Sequence, residues 1–234
     1  MKKYCFSLVL TFLSTCILMS QERTVAVDTT VVTQHSTTIN GTKITYSATT
    51  GTQPVWDDQG KPIATLFYTY YKRNNAGDMA GRPLLISFNG GPGSASVWMH
   101  IAYTGPKVLN IDDEGFPRQP YGVHENSSSI LDVADIVFVN PVNTGYSRTI
   151  PENGEKVKKE TFFGINADIK YLADWLNTFV SRHDRWLSPK FLIGESYGGT
   201  RVSGLALELQ DKQWMYLNGV ILVSPADYKF FLSD

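Results

Sequence analysis

The chain has 234 residues, 42% of them hydrophobic and 18% charged, with 21 Lys and Arg against 22 Asp and Glu. The apolar share is enough for a sizeable core, and the length suits one large α/β domain. Charge is near balance and no Lys/Arg run occurs, which excludes the electrostatic footprint of a nucleic-acid binder.

Lys2 and Lys3 precede an apolar stretch from Tyr4 to Met19, and the polar run Gln21-Glu22-Arg23 follows. A basic start, a short apolar run and a polar exit describe a secretory signal peptide over residues 1–20. The alternative is an uncleaved anchor. The expected mature protein, residues 21–234, is exported to a periplasmic or extracellular location with no stable membrane association. Cys5 and Cys16 both lie in the leader, so no thiol remains after cleavage. An exported protein without disulfides fits a bacterial envelope or secreted enzyme.

Residues 24–50 alternate Thr and Val, which predicts two or three short strands with Asn40-Gly41 as a tight hairpin turn. Residues 62–72 predict a longer strand, and residues 74–81 a turn. The apolar run at residues 82–88 opens into Asn89-Gly90-Gly91-Pro92-Gly93 and predicts a buried central strand. Residues 112–129 are rich in turn formers and predict an irregular excursion, and residues 135–140 predict the next buried strand.

Phe163, Ile165, Ile169, Leu172, Ala173, Leu176 and Val180 recur at helical spacing, with Asp168, Lys170 and Asp174 on the polar side between them. A strand at residues 190–193, a sharp turn at 194–198, a helix over about 200–209 and a strand at 219–223 complete the pattern. Buried strands alternating with amphipathic helices predict an α/β sheet, parallel in its core, within one domain. The last strand has no covering helix after it, so the fold is expected to be cut short.

Gly194-Glu195-Ser196-Tyr197-Gly198 matches Gly-x-Ser-x-Gly between a predicted strand and a predicted helix. That turn forces the serine into a strained conformation in which side chains two residues away would clash, hence the glycines. Its hydroxyl then stands over the sheet edge at the positive end of the next helix. An oxyanion hole in this arrangement takes one N–H from the residue after the nucleophile and one from a loop after an earlier strand, which points to Tyr197 and Gly91. No Cys/His cluster suggests a metal, no phosphate loop is present, and no cofactor is called for.

Asn89-Gly90-Gly91-Pro92-Gly93-Ser94, Gly105-Pro106, the segment from Asp135 through Pro141 to Tyr146-Ser147, and Gly194 to Gly199 together resemble the serine carboxypeptidase family, in its order and spacing, from about Pro83 to Asp227. The resemblance implies an α/β-hydrolase fold with a mostly parallel central sheet. It implies a serine-type carboxypeptidase that releases C-terminal residues from peptide substrates through an acyl-enzyme on Ser196. It further implies that Asn89, Gly90 and Glu195 hold the substrate's terminal carboxylate; a protonated Glu can donate to a carboxylate, whereas an ionised one would repel it.

This sequence departs from the family pattern at Tyr103, where many members carry an acid that partners the Glu. Ser94 stands in place of a cysteine, and Asn140 and Asn143 in place of an acid and a glycine. The fold's triad runs Ser, then acid, then His, yet His35, His100, His124 and His183 all precede Ser196. These 234 residues are therefore expected to lack the triad's acid and His and to be inactive alone, with Asp227 a structural loop residue. Two other readings stay open: an acyltransferase or esterase of the same fold, and an inactive fragment or binding module. Trp98, Tyr103 and Tyr197 are candidate pocket walls, and Asn126-Ser127-Ser128 is a glycosylation sequon.

Overall fold

The computed structural model describes residues 26–151 and 157–226. The expected leader and Asp227 lie outside the described residues.

The Thr/Val-rich segment forms two long strands, β1 (Thr29–Ile39) and β2 (Thr42–Trp56), paired antiparallel with Ile39 opposite Thr42. Asn40 and Gly41 take φ of 48° and 76°, the left-handed pair that a two-residue hairpin needs. The strands run to 11 and 15 residues where short ones were expected. β-branched residues favour extended backbone, and nothing in this segment interrupts the pairing. β3 (Pro62–Arg73) continues the antiparallel arrangement beside β2.

The chain then forms β4 (Leu84–Phe88), a π-helical turn at Met99–Thr104, and the pair β5 (Lys107–Leu109) and β6 (Val123–Glu125) with irregular chain between them. β7 (Asp135–Val139) and the short β8 (Arg148–Thr149) lead to helix α1 (Ile165–Arg182). β9 (Lys190–Glu195), α2 (Tyr197–Gln213) and β10 (Gly219–Val223) follow. The main sheet has the order β1-β2-β3-β7-β4-β9-β10, with β8 paired to β3. β7, β4, β9 and β10 are mutually parallel, as expected for the core.

Each face of the parallel strands buries its own core. Leu84, Ile86, Phe88, Val137, Val139 and Leu192 pack under Leu172, Trp175, Leu176 and Phe179 of α1 and Val202, Leu205 and Leu209 of α2. Leu85, Ile136, Phe138 and Ile193 face the other way, against Met99, Leu131 and residues of β1 and β2. Each fully buried aliphatic or aromatic side chain contributes about 1.5–3 kcal/mol, so the first core holds the sheet to α1 and α2 and the second holds it to the segments carrying Met99 and Leu131. On β10, Val220, Ile221 and Leu222 stay substantially exposed.

Two sequence expectations need correction. Phe163 and Ile165 are exposed, whereas Asp168 is buried in line with Leu172, Trp175, Leu176 and Phe179. The buried stripe of α1 is thus rotated from the expected one, and a carboxylate sits inside it. Helix α2 also starts at Tyr197 and runs to Gln213, beyond the expected 200–209.

Candidate active site

Strand connections reverse direction at the centre of this sheet. From β4 the chain travels to β7 on one side, then crosses to β9 on the other. In parallel α/β sheets the crevice at the carboxyl ends of such a strand pair is where ligands bind. The loop after β4 carries residues 89–94, and the turn after β9 carries Ser196.

Ser196 stands between the last residue of β9 and the first of α2 with φ 54° and ψ −121°. A non-glycine residue there is strained by on the order of 1–3 kcal/mol. The strain is held by hydrogen bonds: the Ser196 N–H donates to the Val223 carbonyl at 2.9 Å, and the Ser196 carbonyl accepts from Gly199 at 2.9 Å and Ala226 at 3.2 Å. A Cβ at position 194 would lie 2.0 Å from the Gly198 carbonyl oxygen. Glycine is required there by close backbone approach, as the sequence pattern suggested.

The glycine loop lies directly against this turn. A Cβ at Gly90 would meet the Tyr197 nitrogen at 2.6 Å and the Ser196 Cβ at 2.9 Å. Gly91 follows with φ +111°, and the Ser94 N–H closes the loop on the Gly90 carbonyl at 3.1 Å. Asn89, Gly90, Gly91, Glu195, Ser196 and Tyr197 therefore converge on one place.

Asn89 is buried, and both ends of its amide are used. Nδ2 donates to Glu195 Oε2 at 3.1 Å, while Oδ1 accepts from the Met99 N–H at 3.0 Å. The second bond ties Asn89 to the start of the π-helical turn, so its Nδ2 points at the carboxyl group beside Ser196. Tyr103, at the end of that turn, is 62% exposed, and Trp98 is exposed as well, whereas Tyr197 is buried. Asn126 donates through Nδ2 to the carbonyls of Tyr103 and Gly105 at 3.0 and 2.8 Å. The sequon asparagine is thereby committed to holding this turn and presents no free amide for a glycan.

Sequence reasoning missed a buried charge network behind the loop. Arg201 of α2 pairs through Nε with Asp168 Oδ2 at 2.7 Å and donates to the carbonyls of Asn89 and Pro92. Asp168 also accepts from the Tyr171 hydroxyl at 3.0 Å, and that oxygen accepts from the Val142 N–H at 3.1 Å. Burial, and next the Asp168 charge, push the Tyr171 phenol well above its ordinary value, so it stays a donor. The overlooked signal is periodic. Arg201 stands in register with Leu205 and Leu209, and Asp168 with Leu172 and Trp175, so opposite charges occupy the apolar stripes of both helices. A cavity of about 120 Å³ adjoins the network, lined by Pro92, Val142, Phe162, Phe163, Tyr197 and Arg201 among others.

The histidines are engaged elsewhere. His100 Nε2 lies 2.6 Å from the Tyr71 hydroxyl, and its ring stacks on Phe138 at 4.5 Å. Burial lowers its pKa to about 4, so the ring is neutral, and its Nε2 is engaged by the Tyr71 hydroxyl. His183 lies against Tyr68, Tyr70 and Phe179, His35 bonds Thr33, and His124 bonds the Glu125 carbonyl. Among the described residues no histidine bonds to Ser196.

Residues 47–226 match the serine carboxypeptidase family. Serine carboxypeptidase-like 36 of Arabidopsis thaliana is 28% identical over 188 residues, 74% of this chain and 36% of that protein. The retinoid-inducible serine carboxypeptidase of Homo sapiens is 30% identical over 160 residues, 66% of this chain and 31% of that protein. Among solved structures, a prohormone-processing carboxypeptidase from Saccharomyces cerevisiae shares the fold at TM-score 0.60 and 21% identity, covering 75% of this chain and 38% of that one. The chain spans 31% to 38% of the length of these three proteins.

Proposed function

The chain belongs to the serine carboxypeptidase family, and on that premise we propose that it is the nucleophile-bearing part of an exported serine-type carboxypeptidase. Ser196 Oγ adds to the carbonyl carbon of the last peptide bond while its proton passes to a base. The C–N bond breaks, the terminal residue leaves with the proton on its amine, and water hydrolyses the ester left on Ser196. The N–H groups of Gly91 and Tyr197 stabilise the oxyanion, and Asn89, Gly90 and Glu195 receive the free carboxylate of the peptide. All four histidines are engaged elsewhere, so none of them is the base in this reading.

The observation that carries this reading is the 3.1 Å contact between Asn89 Nδ2 and Glu195 Oε2 beside Ser196. A buried amide aimed at a carboxyl group next to the nucleophile is suited to a carboxylate-bearing substrate. The exposure of Tyr103 and the absence of an acid at that position favour the second reading, an acyltransferase or esterase of the same fold.

Hydrolysis of a blocked dipeptide and of its C-terminal amide separates the two. A site built to bind the carboxylate rejects the amide by about 100-fold or more in kcat/KM, and Glu195→Gln, which supplies an amide donor without a charge, keeps the preference. Equal cleavage of both substrates would overturn the carboxypeptidase assignment in favour of the second reading.

A further inference from the structure

We propose that Arg201 is a positioning residue that fixes the glycine loop onto the nucleophile turn and so sets the spacing of the two oxyanion donors; the inference rests on the assignment of Ser196, Gly91 and Tyr197 above.

The guanidinium is almost completely buried, and each of its nitrogens has one task. Nε is paired to Asp168 Oδ2 at 2.7 Å, Nη1 donates to the Asn89 carbonyl at 2.8 Å, and Nη2 donates to the Pro92 carbonyl at 3.2 Å. Asn89 and Pro92 are the two residues that flank Gly90-Gly91. One rigid fork therefore grips both ends of the segment that carries the Gly91 N–H. Gly91 has no side chain and a φ of +111°, and within the loop the peptide plane that carries its N–H is held by one hydrogen bond, from the Ser94 N–H to the Gly90 carbonyl at 3.1 Å. The clamp adds to that restraint from outside.

Arg201 also belongs to α2, whose first residue is Tyr197. The guanidinium lies 5.3 Å from the Tyr197 ring and 5.8 Å from the Phe88 ring. The same helix thus presents one donor and holds the loop that presents the other, which makes their separation a property of a single rigid element. Asp168 keeps the fork oriented, and Tyr171 links Asp168 to the Val142 N–H, so the brace is anchored in α1 and in the loop after β7.

Stability alone does not account for this arrangement. Replacing a buried ion pair by apolar residues of similar volume is often neutral or stabilising, and both positions lie in the buried apolar stripes of their helices. Lysine cannot substitute either, because a single ammonium on a flexible stem lacks the planar fork.

Two measurements on Arg201→Lys and Asp168→Asn test the brace. The first is amide hydrogen exchange, which needs no turnover. In Arg201→Lys the hydrogen-bonded amides of the loop, Asn89 and Ser94, exchange about tenfold faster or more, while those of β4 and β9 keep wild-type protection. The second is hydrolysis of a p-nitrophenyl ester, a substrate without the terminal carboxylate. There kcat falls about 10- to 100-fold with KM within about threefold, since only transition-state stabilisation is lost. Asp168→Asn preserves the shape, removes the orienting charge and shifts both readouts in the same direction by less; it serves if Arg201→Lys does not fold. Unchanged loop exchange, faster exchange throughout the sheet, or an unaltered kcat in an active protein each overturns the brace. A wild-type protein that cleaves esters but not free-acid peptides would overturn only the carboxypeptidase reading, leaving the exchange result to decide on Arg201.

Discussion

His100 shows how far a residue's surroundings can move it from the role its type suggests. A lone histidine close in sequence to the glycine loop invites the assignment of general base, yet this one is stacked on Phe138 and its Nε2 is engaged by the Tyr71 hydroxyl. Its folded pKa of about 4 lies below the ordinary 6.5, and His183 is lowered to about 4 as well, chiefly by burial. Both rings fold neutral, whereas the unfolded chain binds protons from about pH 6.5 downward. Their contribution is therefore complete above pH 6.5 and declines as pH falls toward 4, by on the order of 2 kcal/mol for His100 at pH 4.5. Urea midpoints at pH 7.5 and 4.5 should differ less for His100→Gln, which can still hydrogen-bond the Tyr71 hydroxyl, than for the wild type. An identical pH dependence would show that His100 folds protonated.

At this scale the glycines were legible and the charges were not. Gly194 and Gly90 are dictated by backbone approaches of 2.0 and 2.6 Å, and such demands surface in sequence as a fixed motif. Arg201 and Asp168 are buried because they neutralise one another across two helices, a relation that a reading of one helix at a time assigns to solvent.

Among the elements, the parallel strands were the easiest to read, since runs buried on both faces leave little ambiguity with amphipathic helices between them. The lengths of β1 and β2 were not, because their extent depends on pairing with each other and with β3. The ends of β4 and β7 opposite Ser196 carry a second buried charge group. Asp135 accepts from Arg82 at 2.8 Å, Arg185 at 2.6 Å and the Arg73 N–H at 2.9 Å, and Arg185 further donates to Tyr70, Ser188 and the Arg82 carbonyl. Removing the carboxylate leaves two buried guanidinium groups without a counter-charge. Asp135→Ala should therefore lower stability by about 3–5 kcal/mol, read as a shift in denaturation midpoint at constant m-value. Activity per folded molecule should not change, because the lesion lies at the strands' amino ends. A shift under about 1 kcal/mol would mean that water already screens these charges.

For the whole molecule, the sheet places its two glycine-bearing turns side by side at the point where strand connections diverge, and every candidate residue follows from that placement. Motif order along the chain made the family legible, because four segments at set spacing determine which strand ends become neighbours. It could not supply the brace between α1 and α2 or the engagement of the histidines, which exist only once the layers pack. Among the described residues no helix is long and apolar enough to cross a membrane; export remains a proposal resting on residues 1–20.

The central claim is that Ser196 performs the covalent step. A fluorophosphonate tests it directly: the serine Oγ displaces fluoride at phosphorus and leaves a stable tetrahedral adduct in the oxyanion site. Peptide mapping by mass spectrometry should place that adduct on the peptide containing Ser196. Peptidase activity should fall in proportion to labelling, and Ser196→Ala should carry no adduct. Activity that persists at full labelling, or an adduct on a different serine in an active protein, would contradict the account.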